Sequence, residues 1–132
     1  MKQHKAYQLT LEKRTVWVKA TGIVTVRSAG DYQRDLKQLV QPLLGSPWAL
    51  VMDVRSWQPS PLAVIDILKE VSLWCFANQL KFVVVLQPND ALLAWQYLKA
   101  TDVTKPADLI RHLVADDQQA RQQLTVAGFL QP

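Results

Sequence analysis

Tyr7, Leu9 and Leu11 alternate with polar residues, and Val16, Val18 and Ala20 do the same after Lys13-Arg14. A period of two places each set on one side of a strand, so residues 7–20 predict a hairpin with a tight polar turn, ended by Gly22. The period then changes. Tyr32, Leu36, Leu39, Val40 and Leu43 recur at helical spacing; Ser28 with Asp31 three residues on resembles a capping box, and Pro42 with Gly45-Ser46-Pro47 closes the segment. The apolar run Trp48–Val54 predicts a strand covered on both faces. Ser60-Pro61 predicts a helix start, the hydroxyl capping free amides and proline standing first. That helix carries Leu62, Ile65, Leu68 and Cys75 on one stripe, broadened by Ile67, Val71 and Trp74, and should be largely buried. Lys81–Gln87 predicts another strand, and Pro88-Asn89-Asp90 a cap for a third helix whose inward face is Leu92, Trp95 and Leu98. Leu109–Val114 fits neither period well and reads as either a fifth strand or a helix, and a last helix runs from Asp116-Asp117 to Leu124 with Gly128 beyond it. The order is ββαβαβα(β)α. It implies an α/β fold with a mixed four- to five-stranded sheet whose central strands are parallel and helix-covered.

Composition narrows the class. The chain has 132 residues, of which 49% are apolar and 20% charged, which suits one globular domain over residues 1–132 with a core from about 5 to 128. Cys75 is the single cysteine, so no internal disulfide can form and a reducing compartment fits. No signal-peptide pattern follows Met1, and the longest strongly apolar run, Phe82–Leu86, is far short of the roughly 20 residues that cross a bilayer. A cytoplasmic, soluble protein is expected. The net charge of +4 is uneven: residues 1–40 hold eight Lys/Arg against three acids, and the remainder seven against eight. That bias allows binding of nucleic acid or an anionic surface, although no basic run exceeds Lys13-Arg14.

Chemistry is hard to find. His4 and His112 stand alone, no Cys/His/Asp/Glu spacing suits a metal, and Asp116-Asp117 reads as helix capping. Gly22, Gly30, Gly45 and Gly128 never cluster, so neither a dinucleotide fingerprint nor a P-loop exists. Cys75, between Trp74 and Phe76, reads as a packed small hydrophobe. Asp53 ends a buried strand as a phosphoacceptor aspartate would, but the first strands offer Thr10, Glu12 and Lys19 in place of an acidic pair for magnesium. No enzyme, cofactor or metal is expected.

The five tryptophans are the unusual feature. Trp48, Trp74 and Trp95 read as core. Trp17 points away from Val16 and Val18, so it either meets a helix or lies open. Trp57 stands in a loop beyond the carboxyl end of a central strand, where ligands of open α/β sheets gather. It either anchors an interface or folds back as a lid over the core.

Leu50-Val51-Met52-Asp53-Val54, Phe82-Val83-Val84-Val85-Leu86 and the tail Val114-Ala115-Asp116-Asp117-Gln118-Gln119-Ala120, in this order of elements, resemble the STAS domain, the SpoIIAA-like fold of anti-sigma factor antagonists and of sulphate-transporter tails. The resemblance implies a regulatory module with a protein partner. It also implies a phosphorylatable serine at the start of the second helix, where Ser60 stands. The family's Asp-Ser-Ser-Gly-like pattern is missing from Asp53-Val-Arg-Ser56-Trp57-Gln-Pro-Ser60-Pro61, so the switch is absent or altered.

The expectation is therefore a non-enzymatic module docking a protein through the Asp53–Ser60 loop. Trp57 would be the anchor, Arg55 and Ser56 would supply polar contacts, and Trp17 could contribute. The alternative is a small-molecule or lipid sensor with a pocket at the same edge, lined by Trp57, Leu62 and Trp95. A homodimer stays open as a third arrangement.

Overall fold

The computed structural model describes residues 7–22, 24–58 and 60–130. His4, Lys2 and Lys5 of the basic N-terminal third, and Pro59, lie outside the described residues. The elements are β1 (Tyr7–Glu12), β2 (Thr15–Ala20), α1 (Val26–Val40), β3 (Trp48–Asp53), α2 (Leu62–Ala77), β4 (Leu80–Leu86), α3 (Ala91–Ala100), β5 (Ile110–Val114) and α4 (Asp117–Ala127). The sheet runs β1-β2-β3-β4-β5. β1 is antiparallel to β2, and all later neighbours are parallel. This is the expected α/β order with the uncertain segment resolved as a fifth strand.

Alternation along the strands builds two cores. Trp48, Leu50, Val83 and Val85 join Val16 and Val18 on one face, beneath Leu36 and Val40 of α1, Val64 and Val71 of α2, and Tyr97 of α3. Ala49, Val51, Phe82, Val84 and Leu86 form the other face, covered by Ala120 and Leu124 of α4. Strands sandwiched in this way must be apolar at every position, which is why β3 and β4 read as unbroken runs. Trp48 is wholly enclosed because its indole N–H donates to the Asn78 carbonyl at 2.7 Å, so the polar end is satisfied.

Two helix starts differ from expectation. α1 begins earlier. Thr25 is its N-cap and Ser28 the reciprocal partner, with Ser28 N–H donating to Thr25 Oγ1 at 3.1 Å and Thr25 N–H to Ser28 Oγ at 2.8 Å. Thr-x-x-Ser satisfies the same two amides as a Ser/Thr-x-x-Glu box, while Asp31 pairs with Arg34 one turn on. In α2 the capping position falls on Pro61, whose extended backbone (ψ 159°) keeps it outside the helix. Ser60 makes no cap: its hydroxyl donates to the Gln58 carbonyl at 3.3 Å. The buried line of α2 is Val64, Val71 and Cys75, and Leu62 is 73% exposed.

In α3 the expected inward face points outward. Leu92, Trp95 and Leu98 are 69%, 56% and 45% exposed, and Tyr97 is the buried residue. Leu93, Ala94 and Tyr97 offer an equally apolar stripe on the opposite side, so hydrophobic spacing alone cannot choose between them. Asp90 caps this helix as expected, accepting from the N–H groups of Leu92 (2.8 Å) and Leu93 (3.1 Å). Asp116 does the same for α4, accepting from Gln119 N–H at 2.8 Å. Gly128 ends α4 at φ 90°, the left-handed position that glycine takes without strain.

Candidate functional site

The loop after β3 leaves the carboxyl edge of the sheet, and its polar residues are already engaged. Asp53, the last residue of β3, is buried. Two residues on, Arg55 turns back upon it: Nε donates to Oδ1 at 2.9 Å, Nη2 to Oδ2 at 2.8 Å, and the Arg55 backbone N–H to Oδ1 at 3.2 Å. The same Nη2 reaches Asp117 Oδ1 in the first turn of α4 at 2.7 Å. Burial by itself would raise the Asp53 carboxyl. The hydrogen bonds and charge of Arg55, with Lys19 behind, outweigh it and hold the carboxyl below its ordinary value. The two acids in turn push the Arg55 guanidinium up. Asp53, Arg55 and Asp117 thus form a clasp fastening the loop to α4.

Trp57 is not an exposed anchor. It is only 2% exposed, its backbone N–H donates to the Val54 carbonyl at 3.2 Å, and its ring meets Tyr97 edge-on at 6.1 Å between centroids. Of the two readings of this residue, the lid over the core is the one observed. Ser60 is buried beside it, and its backbone N–H donates to Gln96 Oε1 of α3 at 3.1 Å. A kinase would reach the Ser60 hydroxyl only after this loop opened. Ser56 is exposed.

Trp17 lies on the opposite face of the sheet, packed against the α4 core. The Arg121 guanidinium sits 5.2 Å from its ring centroid and is itself held by Glu12 at 2.7 and 3.0 Å. The structure therefore does not bring Trp17 and Trp57 together. Nor does it form the pocket expected from Trp57, Leu62 and Trp95, because the first is enclosed and the other two face solvent. Cys75 is buried, and burial pushes its thiol up to about 12, which suits a packing role.

Among the described residues of the basic N-terminal third, three cations are engaged within the fold. Arg14 donates to the carbonyls of Leu43, Ser46 and Pro47, Arg34 pairs with Asp31 and Asp35, and Lys37 lies over the Trp74 ring at 5.3 Å. Among the described residues, no group of three or more His, Cys, Asp or Glu could hold a metal ion, and no helix is long and apolar enough to cross a membrane.

Among the exposed large apolar residues, three stand together on the outer face of α3. Leu92, Trp95 and Leu98 share one stripe, the Lys99 ammonium stands 5.6 Å from the Trp95 ring centroid, and α3 packs beside α2, at whose start Leu62 is exposed. The spacing i, i+3, i+6 was visible in the sequence. Its orientation was not.

No family model and no curated protein matches the chain. Solved structures do. An uncharacterised protein of the DUF3478 family with a SpoIIAA-like fold, from Shewanella loihica PV-4, superposes with a TM-score of 0.69 at 15% identity, covering 94% of this chain and 97% of its own. The anti-sigma factor antagonist SpoIIAA in its unphosphorylated form superposes with a TM-score of 0.58 at 12% identity, over 93% of this chain and 99% of its own. The chain has the SpoIIAA-like, STAS-type fold that its order of elements implied.

Proposed function

We propose that this chain is a non-enzymatic regulatory module that docks a protein partner on the outer face of α3, beside the loop between β3 and α2. The observation that carries the reading is the exposure of Leu92, Trp95 and Leu98 on one side of a helix whose other side is anchored by Tyr97. Contiguous exposed apolar residues mark interaction surfaces, and tryptophan is the commonest energetic anchor in them. Lys99 at the rim favours a partner whose own apolar helix is flanked by acidic residues. The likeness to an anti-sigma factor antagonist supports a regulatory role with a protein partner. Arg55 and Ser56 are exposed polar residues of that loop, and Trp57 and Ser60 tie it to α3 through Tyr97 and Gln96.

The test begins with the protein that co-purifies in stoichiometric amount with the full chain from its native cell. That partner, purified, is titrated against the wild type and against Trp95→Asp and Leu98→Asp. Each variant should weaken binding by about tenfold or more while melting within a few degrees of the wild type. Undiminished binding by both variants removes α3 from the role. Binding of the chain to anionic vesicles, with loss in the same variants, would replace the protein partner by a membrane surface.

A further inference from the structure

Beneath α2 and α3, against the β3–β5 face, lies a partly open cavity of about 70 Å³ whose walls include Leu50, Met52, Phe76, Val83 and Tyr97. Two cations stand in its wall, Lys105 from the segment after α3 and Arg111 from β5. The pairing of Leu50 with Val83 and of Val83 with Arg111 carries the guanidinium onto the same side of the sheet as the apolar residues. Lys105 and Arg111 also line a second, more open cleft of about 340 Å³ on the outer side, with Trp95, Leu98, Lys99 and Asp102. The two cations are thus shared by an inner apolar space and an outer solvent-facing one.

Their charge is under-compensated. Arg111 Nη2 is buried and has no hydrogen-bond partner among the described residues. Lys105 Nζ donates only to carbonyls, those of Thr101 at 3.1 Å and Val103 at 3.2 Å. Burial and then the neighbouring Arg111 charge pull the Lys105 ammonium below its ordinary value, against the opposing charge of Asp102. Inside the cavity, burial pushes Cys75 and Tyr97 up to about 12, so neither carries charge. A buried guanidinium nitrogen left unpaired is a costly arrangement that an anion relieves.

We infer that this cavity binds a short aliphatic carboxylate, its head between Lys105 and Arg111 and its chain among Leu50, Met52, Phe76, Val83 and Tyr97. Arginine's planar fork matches a carboxylate. The space is several times the roughly 10–15 Å³ that one water needs, and smaller than the roughly 150 Å³ that accepts benzene. Those limits select a short chain over a long fatty acid. The site adjoins the α3 docking face, sharing Lys105 and Arg111 with the cleft that Trp95 and Leu98 line, and needs no partner protein.

The test is calorimetric titration of the full chain with acetate, propionate, butyrate, hexanoate and dodecanoate, with butan-1-ol and butylamine as controls. Butyrate should bind about tenfold or more tighter than acetate and than either uncharged or cationic control. Arg111→Gln and Lys105→Gln should each weaken butyrate by about tenfold, and Ser72→Leu, which fills the cavity wall, should weaken butyrate and leave acetate unchanged. Equal binding of acetate and butyrate would overturn the apolar half of the site. Equal binding of butan-1-ol, or retention in Arg111→Gln, would overturn the anionic half. Tightest binding by hexanoate or dodecanoate would overturn the size limit, and no binding at all would overturn the site. Should Ser72→Leu fail to fold, the comparison of acetate with butyrate on the wild type carries the same decision.

Discussion

The loop after β3 and the helix after β4 invert what their compositions suggest. Arg55-Ser56-Trp57-Gln58 is mostly polar, yet it is fastened down by the Asp53–Arg55–Asp117 clasp and by Trp57 driven edge-on into Tyr97. Helix α3 is mostly apolar, yet Leu92, Trp95 and Leu98 face solvent. The two meet at Tyr97, which accepts Trp57 from the loop and turns the far side of its own helix outward. Burial here follows from which single residue fills the space over the sheet, and the neighbours take the orientation left to them.

Trp57→Ala gives the largest test of that contrast. Removing an enclosed indole should cost about 3–5 kcal/mol, read as a lower urea midpoint at unchanged slope; a change under about 1 kcal/mol would place Trp57 at the surface. Arg55→Ala comes next, at about 1–3 kcal/mol, because it strips a buried carboxylate of its hydrogen bonds. Its pH dependence has a fixed sign. Asp53 titrates below its ordinary value in the folded state, so the clasp stabilises fully above the usual carboxylate range and is lost as pH falls through the lowered value. The gap between wild type and Arg55→Ala should therefore narrow in acid, below roughly pH 4, and a gap that widened there would contradict the ion-pair account. Trp95→Ala should be the smallest, within about 0.5 kcal/mol. A fall as large as that of Trp57→Ala would erase the difference between the two tryptophans.

Much of the fold was legible from residue pattern. The hairpin showed because β1 and β2 alternate, and β3 and β4 showed because sheets covered on both sides need apolar residues at every position. β5 showed only as one of two readings, strand or helix, since Arg111 and His112 interrupt its apolar pattern and one of them faces a cavity that only the fold creates. Caps were legible where an aspartate stood at the helix start, at Asp90 and Asp116. They were misplaced where two hydroxyl residues competed, as with Thr25 and Ser28. The candidate site was legible only in its location near the carboxyl edge of β3. Trp57 and Trp95 exchanged roles because a loop tryptophan and a helix tryptophan carry no mark of which will find Tyr97. Lys105 and Arg111 were passed over because neither belongs to a motif; their common cavity depends on the parallel pairing of β5 with β4.

The strand order has a bearing on how the chain assembles as it is made. Each strand pairs with its predecessor in sequence, so the sheet and its α1–α3 layer can grow in the order of synthesis. The α4 face cannot. Arg121 must reach back to Glu12, and the Phe129 carbonyl accepts from the Thr15 hydroxyl at 3.0 Å, across 109 and 114 positions of chain. Contacts that distant form late, because the entropy of closing so long a loop is met before any of its interactions are gained. Until α4 arrives, the nascent sheet presents Val51, Phe82, Val84 and Leu86 to solvent on one side, and that interval is when this protein is most exposed to aggregation or chaperone capture.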